Sequence, residues 1–189
     1  PDAVVYPETA EETLAAVFRQ TLAPPEREVL VIDNASADGT CEWARSAYGG
    51  RIRLFRYPKN LGASVGRNGG IRLARAPFVC FLDSDAILLS PDCLERSVAA
   101  LEAESALDGV AAAIWLDEAK TRPFCLGCYV SEDARYDYTR SVSETERPHF
   151  LSTCYSVWRR ERLLALRGFD TTFFLGMEDI DLGLRALRA

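Results

Sequence analysis

The chain alternates short, continuous apolar runs with longer segments that are apolar on one face only. Uninterrupted apolar runs lie at 29–32, 78–82 and 110–116, a pattern typical of strands that are covered on both faces. Between them, apolar residues recur every three or four positions, for example over 14–22, as they do in amphipathic helices. This alternation predicts an α/β fold with a mostly parallel sheet flanked by helices.

The same pattern gives the approximate bounds of each element. The predicted strands cover residues 3–5, 29–32, 51–57, 78–82, 110–116 and 153–158. The predicted helices cover residues 9–22, 36–47, 64–75, 90–101, 159–166 and 178–188. Residues 132–148 are polar and follow neither period, so we expect a long loop there.

The size and charge of the chain narrow the classes of function. Its 189 residues suffice for one core, and we expect a single domain, 1–189, cut from a longer protein at both ends. A net charge of −6 without a run of Lys and Arg argues against a nucleic-acid partner. No apolar stretch could span a bilayer and no signal-peptide pattern opens the chain. We therefore expect a cytoplasmic protein, with peripheral contact with the inner face of the membrane left open.

Two of the six cysteines, Cys125 and Cys128, have Cys-x-x-Cys spacing. No second pair follows, and the one histidine, His149, lies well downstream. A zinc site is therefore the less favoured alternative. We expect free thiols in a reducing compartment.

Two carboxylates follow the predicted strand 78–82 one residue apart. Asp83 and Asp85 lie on the same side of an extended segment, where like charges about 5 Å apart repel by roughly 3 kcal/mol at an effective dielectric near 20. Asp33 follows the strand 29–32 in the same way, and ligands gather at the carboxyl ends of strands in open α/β sheets. A divalent metal, a neighbouring arginine or solvent would offset the repulsion.

Four segments, in this order, resemble those of the family 2 glycosyltransferases, which are GT-A fold enzymes that use nucleotide-sugar donors. They are VIDNASADGT at 31–40, NLGASVGRNGG at 60–70, FLDSD at 81–85 and RGFDTTFFLGMEDIDL at 167–182. The resemblance covers nearly the whole chain from Val29 onward. It implies a nucleotide-binding half, 1–118, and an acceptor-side half, 119–189.

The resemblance also implies roles for residues on the donor side. Asp33 would contact the nucleotide base, and Arg67 would lie near the base or the diphosphate. Asp83 would bind the ribose side, and with Asp85 it would hold Mg²⁺ or Mn²⁺. The further donor-binding candidates are Asn34, Asn60 and Tyr6.

On the acceptor side, the resemblance implies that Asp179 is the general base that removes the proton from the attacking hydroxyl. Glu178 and Trp158 are the acceptor-side candidates. The alternative for Glu178 and Asp179 is that they complement the dipole of the helix they begin.

Two departures from the family's pattern bear on these roles. The first strand leads into Val5-Tyr6-Pro7-Glu8 where the family has threonine, tyrosine and asparagine. Many members supply a metal-binding histidine beyond the last helix, and this sequence stops at Ala189 before that point. His149 is expected on the surface or near the substrate.

The function expected from the resemblance is inverting transfer of a sugar, hexosyl or rhamnosyl, to a hydroxyl of a saccharide or lipid-linked acceptor, in surface polysaccharide or glycan synthesis. UDP- or dTDP-sugars are the favoured donors and GDP-sugars stay open. A sugar nucleotidyltransferase is less favoured, because residues 1–12 hold no glycine and no Lys or Arg for a triphosphate loop. A non-catalytic domain that binds nucleotide sugars remains the second alternative.

Overall fold

The computed structural model describes residues 2–5, 10–22, 26–142 and 147–189. Its strands are β1 (Asp2–Val5), β2 (Leu30–Asp33), β3 (Arg53–Arg56), β4 (Phe78–Leu82), β5 (Ala86–Leu88), β6 (Gly109–Ala111), β7 (Ala113–Trp115), β8 (Pro123–Cys125), β9 (Tyr129–Val130), β10 (Tyr136–Asp137) and β11 (Tyr155–Arg159). Its helices are α1 (Ala10–Phe18), α2 (Thr40–Tyr48), α3 (Ala63–Leu73), α4 (Cys93–Ala103), α5 (Arg160–Ala165) and α6 (Glu178–Arg188), with a short 3₁₀ helix at Gly49–Arg51.

The α/β alternation is confirmed, and the pairing of the strands adds detail that the pattern could not give. Strand β2 pairs with β3 in parallel, and β1 pairs with β7 in parallel. The other five described pairings are antiparallel. The pairing therefore differs from the mostly parallel sheet expected, because β11 lies between β4 and β6 and runs against both.

The apolar run 110–116 forms two strands instead of one. Strand β6 pairs with β11, whereas β7 pairs with β1 and β8 in another sheet. Ala112 lies at the change of sheet and is buried. The strands β5, β8, β9 and β10, which the pattern did not predict, are each only two or three residues long, too short for a period to be recognised.

Strand β11 joins the two halves of the chain in one core. It pairs with β4 along its whole length, from Tyr155 opposite Leu82 to Arg159 opposite Phe78. On one face of this sheet, Tyr155 and Val157 pack against α4. On the other face, Trp158 packs with side chains of α3, α5 and α6. Phe78 and Leu82 of β4 pack on the first of these faces and Val79 and Phe81 on the second, which explains the continuous apolar run of β4. Cys80, between them, is exposed.

Helix α3 is fastened to the loop that precedes α6. The Asn68 side chain donates a hydrogen bond to the Phe169 carbonyl and accepts one from the Phe169 N–H, both at 2.8 Å. Gly168, at φ +68°, lies against it, and a Cβ there would stand 2.2 Å from Asn68 Oδ1. This close approach needs glycine and fixes the start of α6 beside α3.

No helix in the described parts of the chain combines the length and the apolar character needed to cross a membrane.

Candidate functional site

A half-buried arginine joins the end of β4 to the start of α6. Arg67, on α3, places Nη2 2.8 Å from Asp83 Oδ1 and Nη1 2.6 Å from Glu178 Oε1. The Glu178 side chain is only 5% exposed. Charge-assisted hydrogen bonds of this kind are short and strong when water is largely excluded. Two of the segments singled out in the sequence, 81–85 and 167–182, therefore meet at one guanidinium.

The charged cluster consists of Arg67, Asp83, Asp85 and Glu178, and among these described residues carboxylates outnumber cations. Burial raises the pKa of the Asp83 carboxyl, and the charges of Asp85 and Glu178 raise it further against the opposing effect of Arg67. Burial acts to lower the pKa of Arg67, but the charges of Asp83 and Glu178 outweigh burial and raise it. The cluster thus holds more negative than positive charge, which suits the binding of a cation.

Asp179 stands beside this cluster, half-buried in the first turn of α6. Burial raises the pKa of its carboxyl, and the adjacent charge of Glu178 raises it further. Its Oδ1 accepts a hydrogen bond of 2.8 Å from the Ile180 N–H, and no described residue donates to Oδ2. A carboxylate with a raised pKa and one unengaged oxygen is a competent proton acceptor.

Glu178 has one unpaired oxygen. Its Oε2 is buried and has no hydrogen-bond partner among the described residues. Such a group is destabilising unless a ligand or a proton satisfies it. Four acidic residues lie at this site, namely Asp83, Asp85, Glu178 and Asp179, and only Asp85 is exposed. No described residue forms a hydrogen bond or ion pair with the Asp85 carboxylate.

Asp33 ends β2 and is buried. Its Oδ1 accepts a hydrogen bond of 3.2 Å from the Ser36 N–H, and its Oδ2 lies 3.2 Å from Arg56 Nε without a hydrogen bond. The neighbouring Asn34 donates to the Gly62 carbonyl at 3.0 Å and accepts from the Leu61 N–H at 2.9 Å. The amide of Asn34 is therefore engaged in holding the turn before α3.

The turn at 60–62 is further fixed by Asn60, whose Oδ1 accepts from the Gly62 N–H at 2.9 Å. Gly62, at φ +88°, lies so close to the loop before α6 that a Cβ would stand 2.5 Å from the Phe174 carbonyl oxygen. Ala63 donates its N–H to that same carbonyl at 2.8 Å. The sequence candidates Asn34 and Asn60 thus shape the backbone next to the charged cluster.

A cleft of about 440 Å³ lies between β2, α3 and β4. Its walls are mostly apolar, and its polar lining includes Asn34, Arg67, Asp83 and Ser84. Its size is within the range of small-molecule sites. It therefore connects the Asn34 turn to Arg67 and Asp83, whereas Asp33, Asp85, Glu178 and Asp179 are not among the residues that line it.

One of the sequence candidates does not take part in this arrangement. Trp158 is 3% exposed in the core, where its Nε1 donates to Ser156 Oγ at 3.1 Å, so we leave it out of the proposed site. Tyr6 lies outside the described residues. His149 is half-buried and accepts a hydrogen bond from the Val130 N–H at its Nδ1, 3.0 Å away.

Other residues near the site were not found from the sequence. Phe174, Leu175 and Met177 are exposed on the loop before Asp179, with Leu175 at 79%, and an apolar run directly before two acidic residues was the available signal. Burial, with the charge of Asp179 adding, raises the pKa of Tyr138 to about 12. Tyr138 lies in the segment 132–148, where no pattern marks any position.

Few side chains at this site could bind a metal ion. In the described ranges, no group of three or more His, Cys, Asp or Glu side chains could hold a metal ion. Mg²⁺ and similar hard ions commonly use one or two carboxylates together with water and substrate phosphates. The exposed carboxylate of Asp85 and the excess negative charge at Asp83 fit that mode of binding.

Comparisons with known proteins identify the family of the chain and its fold. The sequence model described as "Glycosyl transferase family 2" matches residues 4–165. Validoxylamine A glucosyltransferase of Streptomyces hygroscopicus subsp. limoneus is 41% identical over 93 residues, which are 48% of this chain and 20% of the relative. The matched region thus spans about a fifth of that relative's length.

Solved structures resemble the chain over nearly its whole length. The mannosyltransferase PcManGT of Pyrobaculum calidifontis, in complex with GDP-Man and Mn²⁺, has a TM-score of 0.68 at 23% identity and covers 95% of this chain and 48% of its own. Residues 1–349 of TarS from S. aureus, in complex with UDP-GlcNAc, have a TM-score of 0.66 at 18% identity and cover 97% of this chain and 51% of their own. These likenesses confirm the fold class predicted from the sequence.

Proposed function

Because this chain belongs to glycosyl transferase family 2, we propose that it moves a sugar from a nucleoside-diphosphate donor to a hydroxyl of a saccharide or lipid-linked acceptor, with inversion at the anomeric carbon. The observation that carries the proposal is the Arg67 bridge between Asp83 and Glu178. It brings the acidic pair after β4 and the start of α6 within reach of one bound donor.

On the donor side, Asp33 contacts the base and Asp83 the ribose. Arg67 faces the diphosphate, for which a guanidinium is well suited. Without a donor, the guanidinium donates hydrogen bonds to Asp83 and Glu178. A bound diphosphate would either replace these two carboxylates as acceptors or accept additional hydrogen bonds from the same guanidinium. The backbone turn held by Asn34 and Asn60 lies beside the same cleft.

Asp85, with Asp83, would hold Mg²⁺ or Mn²⁺. The support is the uncompensated negative charge of the cluster and the Mn²⁺ in the structure of PcManGT. When bound, such an ion neutralises the negative charge that accumulates on a departing diphosphate.

Asp179 acts as the general base. Its unengaged Oδ2 takes the proton of the acceptor hydroxyl while the hydroxyl oxygen attacks the anomeric carbon from the face opposite the diphosphate. The raised pKa of Asp179 makes the carboxylate a stronger base than an ordinary aspartate. A single displacement of this kind inverts the anomeric configuration.

The favoured donors are UDP- or dTDP-sugars, because a carboxylate at Asp33 suits the imide of a pyrimidine base. The two solved relatives bind UDP-GlcNAc and GDP-Man respectively, so a GDP-sugar is the comparison donor. The comparison of donors described below also distinguishes transfer of a hexose from transfer of rhamnose.

The test compares the wild type with Asp179→Asn and with Asp92→Asn, a matched neutralisation at the start of α4, away from the cluster. Donor hydrolysis and transfer are measured with UDP-, dTDP- and GDP-sugars in Mn²⁺, and donor binding is measured by calorimetry. The proposal expects Asp179→Asn to bind donor but lose turnover, while Asp92→Asn behaves as the wild type. Full turnover by Asp179→Asn would overturn it, and donor binding without turnover in the wild type would favour the non-catalytic binding domain.

A further inference from the structure

The Cys-x-x-Cys pair lies in the structure as two contacting thiols. Cys125 Sγ is 2.9 Å from Cys128 Sγ, and each residue is 3% exposed. No disulfide joins any of the six cysteines in the structure. We propose that Cys125 and Cys128 form a reversible disulfide and are the site at which a disulfide oxidant modifies this protein.

The backbone around the pair is held so that the two sulfur atoms face each other. Cys125 ends β8 and pairs with Ile114 of β7. The carbonyl of Cys128 accepts the N–H of His149 at 2.7 Å. Each cysteine is therefore fastened to a different neighbouring segment, and closing the contact to a bond of about 2 Å requires only a small movement of the sulfur atoms.

The residues between the cysteines are equally constrained. The Leu126 N–H donates to the Tyr138 carbonyl at 2.7 Å. A Cβ on Gly127 would stand 2.7 Å from the Arg140 carbonyl oxygen, so the segment 138–142 covers the turn closely. The turn is thus held in one conformation rather than being free to separate the two thiols.

The pair belongs to the apolar cluster beneath the candidate site. That cluster also contains Ala86 and Ile180, which directly follow Asp85 and Asp179. A third thiol, Cys154, lies in the same cluster, and its backbone carbonyl accepts the Asp83 N–H at 3.2 Å. A bond between Cys125 and Cys128 would therefore close a four-residue loop within the apolar cluster that lies beneath the charged residues.

The chemistry is thiol–disulfide exchange with a small disulfide such as oxidised glutathione. One cysteine thiolate attacks a sulfur of the oxidant and releases one glutathione thiol, leaving a mixed disulfide on the protein. The second cysteine thiolate then attacks the protein sulfur of that mixed disulfide and releases the second glutathione thiol. Two cysteine protons are lost to solvent and taken up by the departing thiolates, and the oxidant is reduced as the protein pair is oxidised.

The surroundings set the direction of the pH dependence. The contact with Cys128 and burial together raise the pKa of the Cys125 thiol above its usual range. The thiolate is the attacking species, so the exchange becomes faster as the pH rises. The competing explanation is that both thiols only fill space as small apolar side chains.

The experiment uses the whole chain and does not depend on glycosyl transfer. Native protein is equilibrated in buffers from pure reduced to mostly oxidised glutathione, acid-quenched and alkylated, and the peptide that contains both cysteines is weighed. The expected result is loss of both alkylations together, with a mass lower by two hydrogens, reversed by dithiothreitol. Cys41, which is buried elsewhere, remains alkylated after unfolding and serves as the internal reference.

Cys125→Ser and Cys128→Ser each abolish the mass change, whereas Cys154→Ser leaves it in place. The proposal is overturned if both thiols stay alkylatable in the most oxidising buffer. It is also overturned if the disulfide forms only in urea-unfolded chain, or if Cys154 is required.

Discussion

Arg67 forms an ion pair with the buried Glu178, with Nη1 2.6 Å from Oε1, although 111 positions separate them in the chain. The same guanidinium binds Asp83, so a single side chain balances part of the charge from two distant segments. Removing the guanidinium would leave the buried Glu178 carboxylate and the half-buried Asp83 carboxylate without their cation. This relationship organises the site and makes it sensitive to mutation.

Arg67→Met is therefore expected to destabilise the fold by about 3–5 kcal/mol, the range for breaking a buried ion pair from one side. Urea unfolding at pH 7 measures it. The matched control is Arg135→Met, which removes the cation from the exposed pair with Asp133 and should change the free energy of unfolding by less than about 1 kcal/mol. Equal losses in the two variants would contradict the buried bridge.

Asp179→Asn is expected to make the fold more stable at pH 7. The pKa of Asp179 is raised in the folded chain, so its ionised form is less stable folded than unfolded, and stability falls as the pH rises through that raised value. Below the ordinary aspartate pKa of about 3.9 both states are protonated and the advantage of the variant disappears. Unfolding in urea at pH 7 and near pH 3.5 measures the difference, and an advantage that grows on acidification would refute it.

Gly168→Ala is expected to cost more than a positive φ alone explains. The new Cβ would meet Asn68 Oδ1 at 2.2 Å, and φ is +68°. Gly176 has φ +80° with open space around it, and Gly50 has open space without a positive φ. Thermal and urea unfolding should therefore rank Gly168→Ala as most destabilising, Gly176→Ala at about 1–2 kcal/mol and Gly50→Ala near zero. If the first two lose equally, the contact with Asn68 is not tight.

Asp85→Asn should leave the free energy of unfolding within about 0.5 kcal/mol of the wild type, because Asp85 is exposed and its carboxylate forms no hydrogen bond or ion pair with a described residue. Its effect should be on donor binding. Calorimetry with UDP is expected to show tighter binding in Mn²⁺ than in EDTA for the wild type, and little or none of that gain for Asp85→Asn. Asp92→Asn serves as the control, and an undiminished gain in Asp85→Asn would place the ion elsewhere.

The sequence was most informative where local pattern and burial agree. The apolar run 78–82 matches β4 in both bounds, because a strand covered on both faces leaves a continuous apolar signature. The run 110–116 looked equally continuous, yet its division at Ala112 depends on which sheet each part joins. That choice is made by distant strands and leaves no local signal.

The candidate site shows the same boundary between local and tertiary information. Motif resemblance predicted Arg67, Asp83, Glu178 and Asp179 as site residues, but the pairing of Arg67 with Glu178 follows from three-dimensional proximity. Trp158 looked available in an extended segment, yet its strand is buried on both faces. Burial on both faces removes the alternation that would have revealed which way the side chain points.

Three side chains of helix α3 also make long-range polar contacts with one later stretch of chain. Ser64 bonds to the Phe173 carbonyl, Asn68 to Phe169 and Arg67 to Glu178, across 109, 101 and 111 positions. Synthesis proceeds from the amino end, and the elements of a chain begin to fold in that order. A nascent polypeptide whose residue 178 is still inside the ribosome therefore has a helix α3 without these partners, and the candidate site forms only after that later stretch has emerged.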